Sequence, residues 1–204
     1  MPDAVVYLVR HGTHDWLRPG MDRFAGTLPG IGLNAQGREE AGRLRDLLVE
    51  VPLMWAVSSP LQRTVETARI ILEGRDLAVV EDARLTEWRC VPWEGMLIPE
   101  IVARYPEAWR IWHADPTRLS LPDTEPLAAI ADRVEAAFRE WTAHGGTGLL
   151  VSHRDPLAAL LCRLLAMPLN RIRTMELPTG SLTEYRLTRH GPVLESINSA
   201  GLPE

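Results

Sequence analysis

The chain has 204 residues, enough for one domain with a full core. Its composition is 46% hydrophobic and 24% charged, that of an ordinary soluble globular protein. With 22 Lys and Arg against 27 Asp and Glu the formal charge is -5, which argues against nucleic acid or an anionic membrane as the main partner.

No apolar stretch reaches transmembrane length, and Met1-Pro2-Asp3 has neither the basic nor the long apolar region of an export signal. Cys90 and Cys162 make neither a disulfide scaffold nor a metal cluster, so each reads as a structural thiol. A reducing, cytoplasmic setting is the simplest expectation.

Val5 to Val9 is a short apolar run rich in β-branched residues and predicts a buried strand. It stops at Arg10-His11-Gly12-Thr13, and a loop rich in Gly, Pro and charge follows to about Leu33. Asn34 is placed to cap a helix running to about Val49, with Ala41, Leu44, Leu47 and Leu48 as its apolar stripe. Met54 to Val57 predicts a second strand. Ser59-Pro60 reads as a cap with proline at the first helical position, and Thr64, Ala68 and Ile71 continue the helix. Leu77 to Val80 predicts a short third strand.

From 81 to 122 the pattern breaks down, although four of the seven tryptophans fall there: Trp88, Trp93, Trp109 and Trp112. The stretch from about 88 to 122 reads as an irregular helical cap inserted into one domain spanning 1–204. Asp123 or Thr124 is expected to start another helix, with Ile130, Val134, Ala137, Phe138 and Trp141 on one side. Gly148 to Ser152 is a core strand, and Asp155-Pro156 opens a helix whose buried face is Leu157, Leu160, Leu161, Leu164 and Leu165. Ser181 to Leu187 and Val193 to Ile197 alternate around His190-Gly191 as an antiparallel hairpin. Strands alternating with helices imply a three-layer α/β/α sandwich, and the hairpin makes its mostly parallel sheet mixed.

Two strand ends share a design. One delivers Arg10 and His11, the other His153 and Arg154. In open α/β sheets ligands bind beyond the carboxyl ends of strands. Arg63 falls in the first turn of its helix, where the dipole disfavours a cation but unpaired N–H groups suit an anion. It is either a solvated arginine or one arm of an anion site. Arg10, His11, Arg63 and His153 together describe a phosphate-sized cationic pocket, in which a neutral imidazole nitrogen could attack phosphorus.

At these residues the chain resembles the histidine phosphatase superfamily, which contains cofactor-dependent phosphoglycerate mutases and many small phosphatases. Leu8-Val9-Arg10-His11-Gly12 is similar to the opening motif. Ser58-Ser59-Pro60-Leu61-Gln62-Arg63-Thr64-Val65-Glu66-Thr67-Ala68 resembles the second block. Leu85-Thr86-Glu87 with Trp93-Glu94-Gly95 looks like the proton-donor block, Val151-Ser152-His153 the second histidine block, and Gly180-Ser181-Leu182-Thr183 the late turn.

The resemblance implies His11 as the nucleophile that becomes phosphohistidine. Arg10, Arg63 and His153 would hold phosphoryl oxygens, and Glu87 would be proton donor and acceptor. Thr13 adds a weaker hydroxyl contact. The resemblance implies neither metal nor cofactor. An apolar wall from Trp88 or Trp93 would favour a protonated Glu87, while the arginines oppose it.

The chain also departs from the family pattern. Thr13-His14-Asp15-Trp16 follows Gly12 where Glu or Gln is commoner, and Leu17 stands where Asn is usual. His14 is a substrate contact or a loop-packing residue. Arg154 replaces a common glycine, as an extra cation for substrate or as the ion-pair partner of Asp155. Arg89 and Arg104 are weaker substrate candidates. The cap tryptophans either receive a nonpolar leaving group or bury the lid.

The expected function is a metal-independent phosphatase of small phosphate monoesters. Phosphoglycerate mutase-like transfer and a catalytically weak phosphate-binding or protein-interaction module are the alternatives. Glu87 is followed by Trp88 instead of the arginine typical of mutases, which favours hydrolysis. The expected partner is a small phosphorylated metabolite, with no nucleic acid or membrane, and a homodimer is left open.

Overall fold

The computed structural model describes residues 3–17 and 20–199, so Met1 and Pro2, and Arg18 and Pro19 of the loop after the first strand, lie outside the described residues. The β-branched run forms β1 (Ala4–Arg10), whose side chains alternate between two apolar surfaces. Val6 and Leu8 join the core built with α5 (Leu127–Thr142) and α6 (Arg154–Leu164). Val9 faces the opposite core, built with α1 (Ala35–Leu48) and α2 (Gln62–Ile71). Strand β1 is therefore buried on both faces, which its continuous apolar sequence requires.

The remaining strands are β2 (Trp55–Ser58), β3 (Val80–Glu81), β4 (Gly146–Ser152), β5 (Leu182–Thr188) and β6 (Gly191–Ser196). They form one sheet in the order β3-β2-β4-β1-β5-β6. The first four are mutually parallel, and β5 and β6 add the antiparallel edge. The α/β sandwich with a mostly parallel mixed sheet is the architecture the sequence implies. Among the described residues no helix is long and apolar enough to cross a membrane.

Several boundaries differ from the sequence reading. Asn34 does cap α1, accepting from the Gly37 amide at 3.0 Å, but Leu47 is exposed and Glu40 takes a buried position instead. Helix α2 begins at Gln62 with Leu61 at the cap position and no side-chain cap; the Ser59 hydroxyl lies before it, 2.8 Å from His153 Nε2 and accepting from Leu61 N at 3.4 Å. Helix α5 begins at Leu127: Asp123 has a positive φ of 51° and Thr124 pairs with Cys90 as an isolated bridge. Leu165 lies past the end of α6 and is exposed, and Leu164 is half-buried. The short third strand falls at Val80–Glu81, later than expected.

The stretch from 88 to 122 contains α3 (Ile98–Arg104), α4 (Pro106–Ala114) and a single 3-10 turn at Pro116–Arg118. It is tied to the loop after β1 through backbone bonds: Phe24 N to Met96 O at 3.0 Å, Gly95 N to Phe24 O at 2.9 Å and Ile98 N to Asp22 O at 2.8 Å. Trp88 and Trp93 are fully buried, so these two rings anchor the stretch to the core.

Across the β2–β4 ladder Trp55 lies opposite Gly148, and its indole covers the space a side chain there would need. A Cβ on Gly148 would meet the ring at 2.0 Å. Gly148→Ala is expected to lower stability by about 1–3 kcal/mol through overpacking. The urea midpoint measures it, and an unchanged midpoint would show that the ring has room to move.

Candidate active site

The carboxyl ends of three parallel strands meet at one edge of the sheet. Arg10 lies opposite Ser152, and Ser58 opposite Val151. Hydrogen bonds carry the pairing one residue further, from His11 N to Ser152 O at 3.1 Å and from Ser59 N to Val151 O at 3.0 Å. His11 and His153 thereby leave adjacent strands together, with ring centroids 5.1 Å apart in an edge-on arrangement. The His14 ring lies 5.4 Å from that of His11.

The turn carrying His11 is braced by α1. A Cβ on Gly12 would meet the Gly37 carbonyl oxygen at 2.4 Å, so only glycine permits this approach. Gly12 N donates to the Thr67 hydroxyl at 3.0 Å. The buried Glu40 carboxylate accepts from Thr13 N at 2.7 Å and from the Thr13 hydroxyl at 2.8 Å. Thr13 thus braces the turn, its hydroxyl turned to Glu40 and Thr179; like His153 it is outside the residues that line the cavity.

His11 Nδ1 lies 2.8 Å from the Gly12 carbonyl oxygen. A carbonyl can only accept, so Nδ1 carries the proton and Nε2 presents its lone pair. Burial, together with the charges of Arg63 and Arg10, holds the imidazole well below its ordinary pKa. His153 is held down by the same causes; its Nε2 lies 2.8 Å from the Ser59 hydroxyl and its buried Nδ1 has no partner among the described residues. His14 is buried and pushed down to about 3, by burial and then by Arg63 and Arg10.

Arg63 is the second residue of α2 and only 1% exposed. It gives one hydrogen bond, to Gly26 O at 2.8 Å, and its Nε and Nη1 lack partners among the described residues. Arg10 donates to Leu177 O at 2.6 Å and leaves a buried Nε unmatched. Burial lowers both guanidiniums to about 10, against the raising effect of Glu87, so both stay charged at neutral pH.

Glu87 follows a 3-10 turn at Ala83–Leu85 and is fixed from below by Arg133, which donates to Arg84 O at 2.6 Å and to Glu87 O at 3.2 Å. Its carboxylate accepts from Trp88 N at 2.7 Å. Burial, then the charge of Asp155, pushes it up to about 7, and the Trp88 amide, Arg63 and Arg10 oppose that shift without cancelling it. The contest left open by the sequence goes toward protonation.

Arg10, His11, His14, Arg63, Glu87 and Arg154 line one cavity of about 260 Å³, with Trp112, Phe24 and Ile98 as its apolar wall. Trp112 faces the cavity, whereas Trp88 and Trp93 are buried behind it. Arg154 donates to Asp155 at 3.2 Å, the ion pair of one reading, and also lines the cavity. Arg89 and Arg104 lie outside this lining, Arg89 beside Asp123 and Arg104 over the Tyr105 ring. The sequence reading missed Arg173, which lines the cavity from the 3-10 helix at Leu169–Thr174 and stacks 3.6 Å from the Trp112 ring centroid. No motif surrounds it; only its place in the fold brings it here.

Residues 6–200 match the family described as the histidine phosphatase superfamily (branch 1). The chain belongs to that superfamily. A relative from Hydrogenobacter thermophilus, described as phosphoserine phosphatase 1, is 31% identical over 94% of this chain and 90% of its own. A relative from Serratia proteamaculans, described as a probable phosphoglycerate mutase, is 29% identical over 87% of this chain and 82% of its own. The solved structure of Bacillus stearothermophilus YhfR superimposes with a TM-score of 0.89 at 25% identity, covering 98% of each chain.

In this histidine phosphatase, unmatched donors and two desolvated cations surround His11, an arrangement suited to a tetrahedral oxyanion. Inorganic phosphate at 100 times its Kd should stabilise the fold by about 2.7 kcal/mol. Arg63→Ala should abolish most of that gain. Thermal unfolding with and without phosphate reads both, and a midpoint indifferent to phosphate would contradict the anion site.

Proposed function

We propose that the protein is a metal-independent phosphatase of small phosphate monoesters that works through a phosphohistidine at His11. The observation that supports this most directly is the Nδ1 contact to Gly12 O, which leaves an unprotonated Nε2 facing a cationic cavity. Nε2 attacks phosphorus and the bond from phosphorus to the leaving oxygen breaks. Glu87 passes its proton to that oxygen. Water then attacks the phosphorus, its proton returns to Glu87, the P–N bond breaks and inorganic phosphate leaves. Arg10 and Arg63 stabilise the charge spread over the equatorial oxygens, and His153 contributes a hydrogen bond to them.

The cavity, at about 260 Å³, is small beside the roughly 300–1,000 Å³ of drug-sized sites, which suits a small metabolite. A cytoplasmic setting belongs to the same reading and is supported by Cys90 and Cys162, both buried free thiols. Nucleic acid and membrane play no part in it, and the oligomeric state does not enter the chemistry. Mutase-like transfer is the second reading, favoured by the relative described as a probable mutase. It would share the phosphohistidine and differ in passing the phosphoryl group to a second alcohol in place of water. Net release of phosphate in chelator supports hydrolysis; exchange between phosphoglycerates without release supports the mutase.

His11→Ala should abolish transfer of label from a phosphorus-labelled substrate to the protein and reduce kcat by about 10³-fold or more, since the residue supplies the covalent step. A folded variant with normal turnover would eliminate the intermediate.

The pH profile has a defined sign. Glu87 works as the acid only when protonated, so kcat/KM for alkyl phosphates should fall as pH rises through about 7. His11, held well below its usual value, keeps its nucleophile free across this range. Glu87→Gln should remove the alkaline limb and slow alkyl phosphates more than activated aryl phosphates. Equal slowing of both classes would argue against proton donation.

A further inference from the structure

The cavity holds more positive charge than a phosphoryl group alone uses. Five guanidiniums line it, those of Arg10, Arg23, Arg63, Arg154 and Arg173, against the carboxyl groups of Asp22, Glu87 and Asp155. Arg23 is engaged with Gly95 O at 2.8 Å, and the other four sit in two places. Arg10 and Arg63 surround His11, while Arg154 and Arg173 meet at Asp155.

Within the second group the roles divide. Arg173 donates to both oxygens of Asp155, with Nη2 to Oδ2 at 3.1 Å, and its guanidinium carbon lies 3.6 Å from the Trp112 ring centroid, so both terminal nitrogens are engaged and its position is fixed, while its buried Nε has no partner among the described residues. Arg154 makes one hydrogen bond, Nη1 to Asp155 at 3.2 Å, as its only described hydrogen bond. One carboxylate thus faces two guanidiniums, and the burial that would raise its pKa is outweighed by Arg173, Arg154 and Arg10. Arg154 is also the first residue of the 11-residue helix α6, where the dipole opposes a cation. Asp155 offsets part of that, and an incoming anion would offset the rest.

We propose that Arg154 receives a second anionic group, a carboxylate or a second phosphate, on the leaving-alcohol side of the substrate. Asp155 and the Arg173–Trp112 stack hold the guanidinium in place. The inference rests on the phosphatase reading and deepens it, defining the substrate class as phosphate monoesters of acidic alcohols.

Three matched three-carbon esters test it: 3-hydroxypropyl phosphate, 3-phosphooxypropanoate and propane-1,3-diyl bisphosphate. The wild-type enzyme should prefer at least one anionic ester to the hydroxypropyl ester by about tenfold or more in kcat/KM. Which one it prefers separates the carboxylate from the second phosphate. Arg154→Gln should bring that ratio close to one, and Arg154→Lys should retain part of it by keeping the charge without the fork. A wild type with no preference for either anionic ester, or a preference that survives Arg154→Gln in full, would overturn the proposal. Hydrolysis of all three esters at equal rates would refute the inference and leave the phosphatase reading standing; hydrolysis of none would remove both.

Discussion

Two guanidiniums sit desolvated beside one imidazole, and no carboxylate among the described residues forms an ion pair with either. Burial pulls both arginines down to about 10, and a neighbouring cation adds to it, Arg154 for Arg10 and Arg10 for Arg63. They remain charged nonetheless, and the response appears in their neighbours: His11, His14 and His153 are all driven toward the neutral form. A nucleophilic imidazole must be unprotonated; burial is the first cause of that state here, and the charges of Arg63 and Arg10, the cations proposed to hold a phosphoryl group, add to it. The arrangement is destabilising without an anion, which is the expected signature of a functional site and not of a structural ion-pair network.

The fold makes this concentration of charge tolerable by backbone rigidity. Three parallel strands buried on both faces end at the same level, so Arg10, His11, Ser59 and His153 are placed by ladder register and not by flexible loops. The turn after β1 is then clamped by α1 through the Gly12–Gly37 approach and the Glu40 hydrogen bonds to Thr13. Glu40 is buried, yet four donors reach its two oxygens: the Thr13 amide and the hydroxyl or amide groups of Thr13, Gln36 and Thr179. A carboxylate satisfied in this way can hold a turn without a cation that would compete for the site.

What was legible in the sequence follows the range of each signal. Strands β1 and β4 are apolar runs ending in Arg-His and His-Arg, and both elements could be read; that their ends meet is shown only by the parallel ladder between them. Local chemistry misled where a side chain serves a distant partner. Ser59 looks like a helix cap, but its hydroxyl goes to His153, 94 positions along the chain. Thr13 sits beside the nucleophile, yet its hydroxyl turns to Glu40 on α1. Arg173 carried no signal, because its function depends on Trp112 and Asp155, which only the folded chain brings near. The cap resisted reading for a related reason: its tryptophans pack on one another and on Phe24 without helical or strand periodicity.

Asp155 connects the outer pair of arginines to Glu87. It is among the causes that raise Glu87, while Arg10 and Arg63 pull the same carboxyl down. The free enzyme thus balances Glu87 between opposing charges. A phosphate dianion entering between the inner arginines cancels much of their pull, and its own charge adds to that of Asp155. Both effects favour the protonated carboxyl. In the proposed reaction a bound dianion would thus favour the protonated Glu87 that the leaving group requires, and once Glu87 has given up that proton it is itself the carboxylate that accepts one from water.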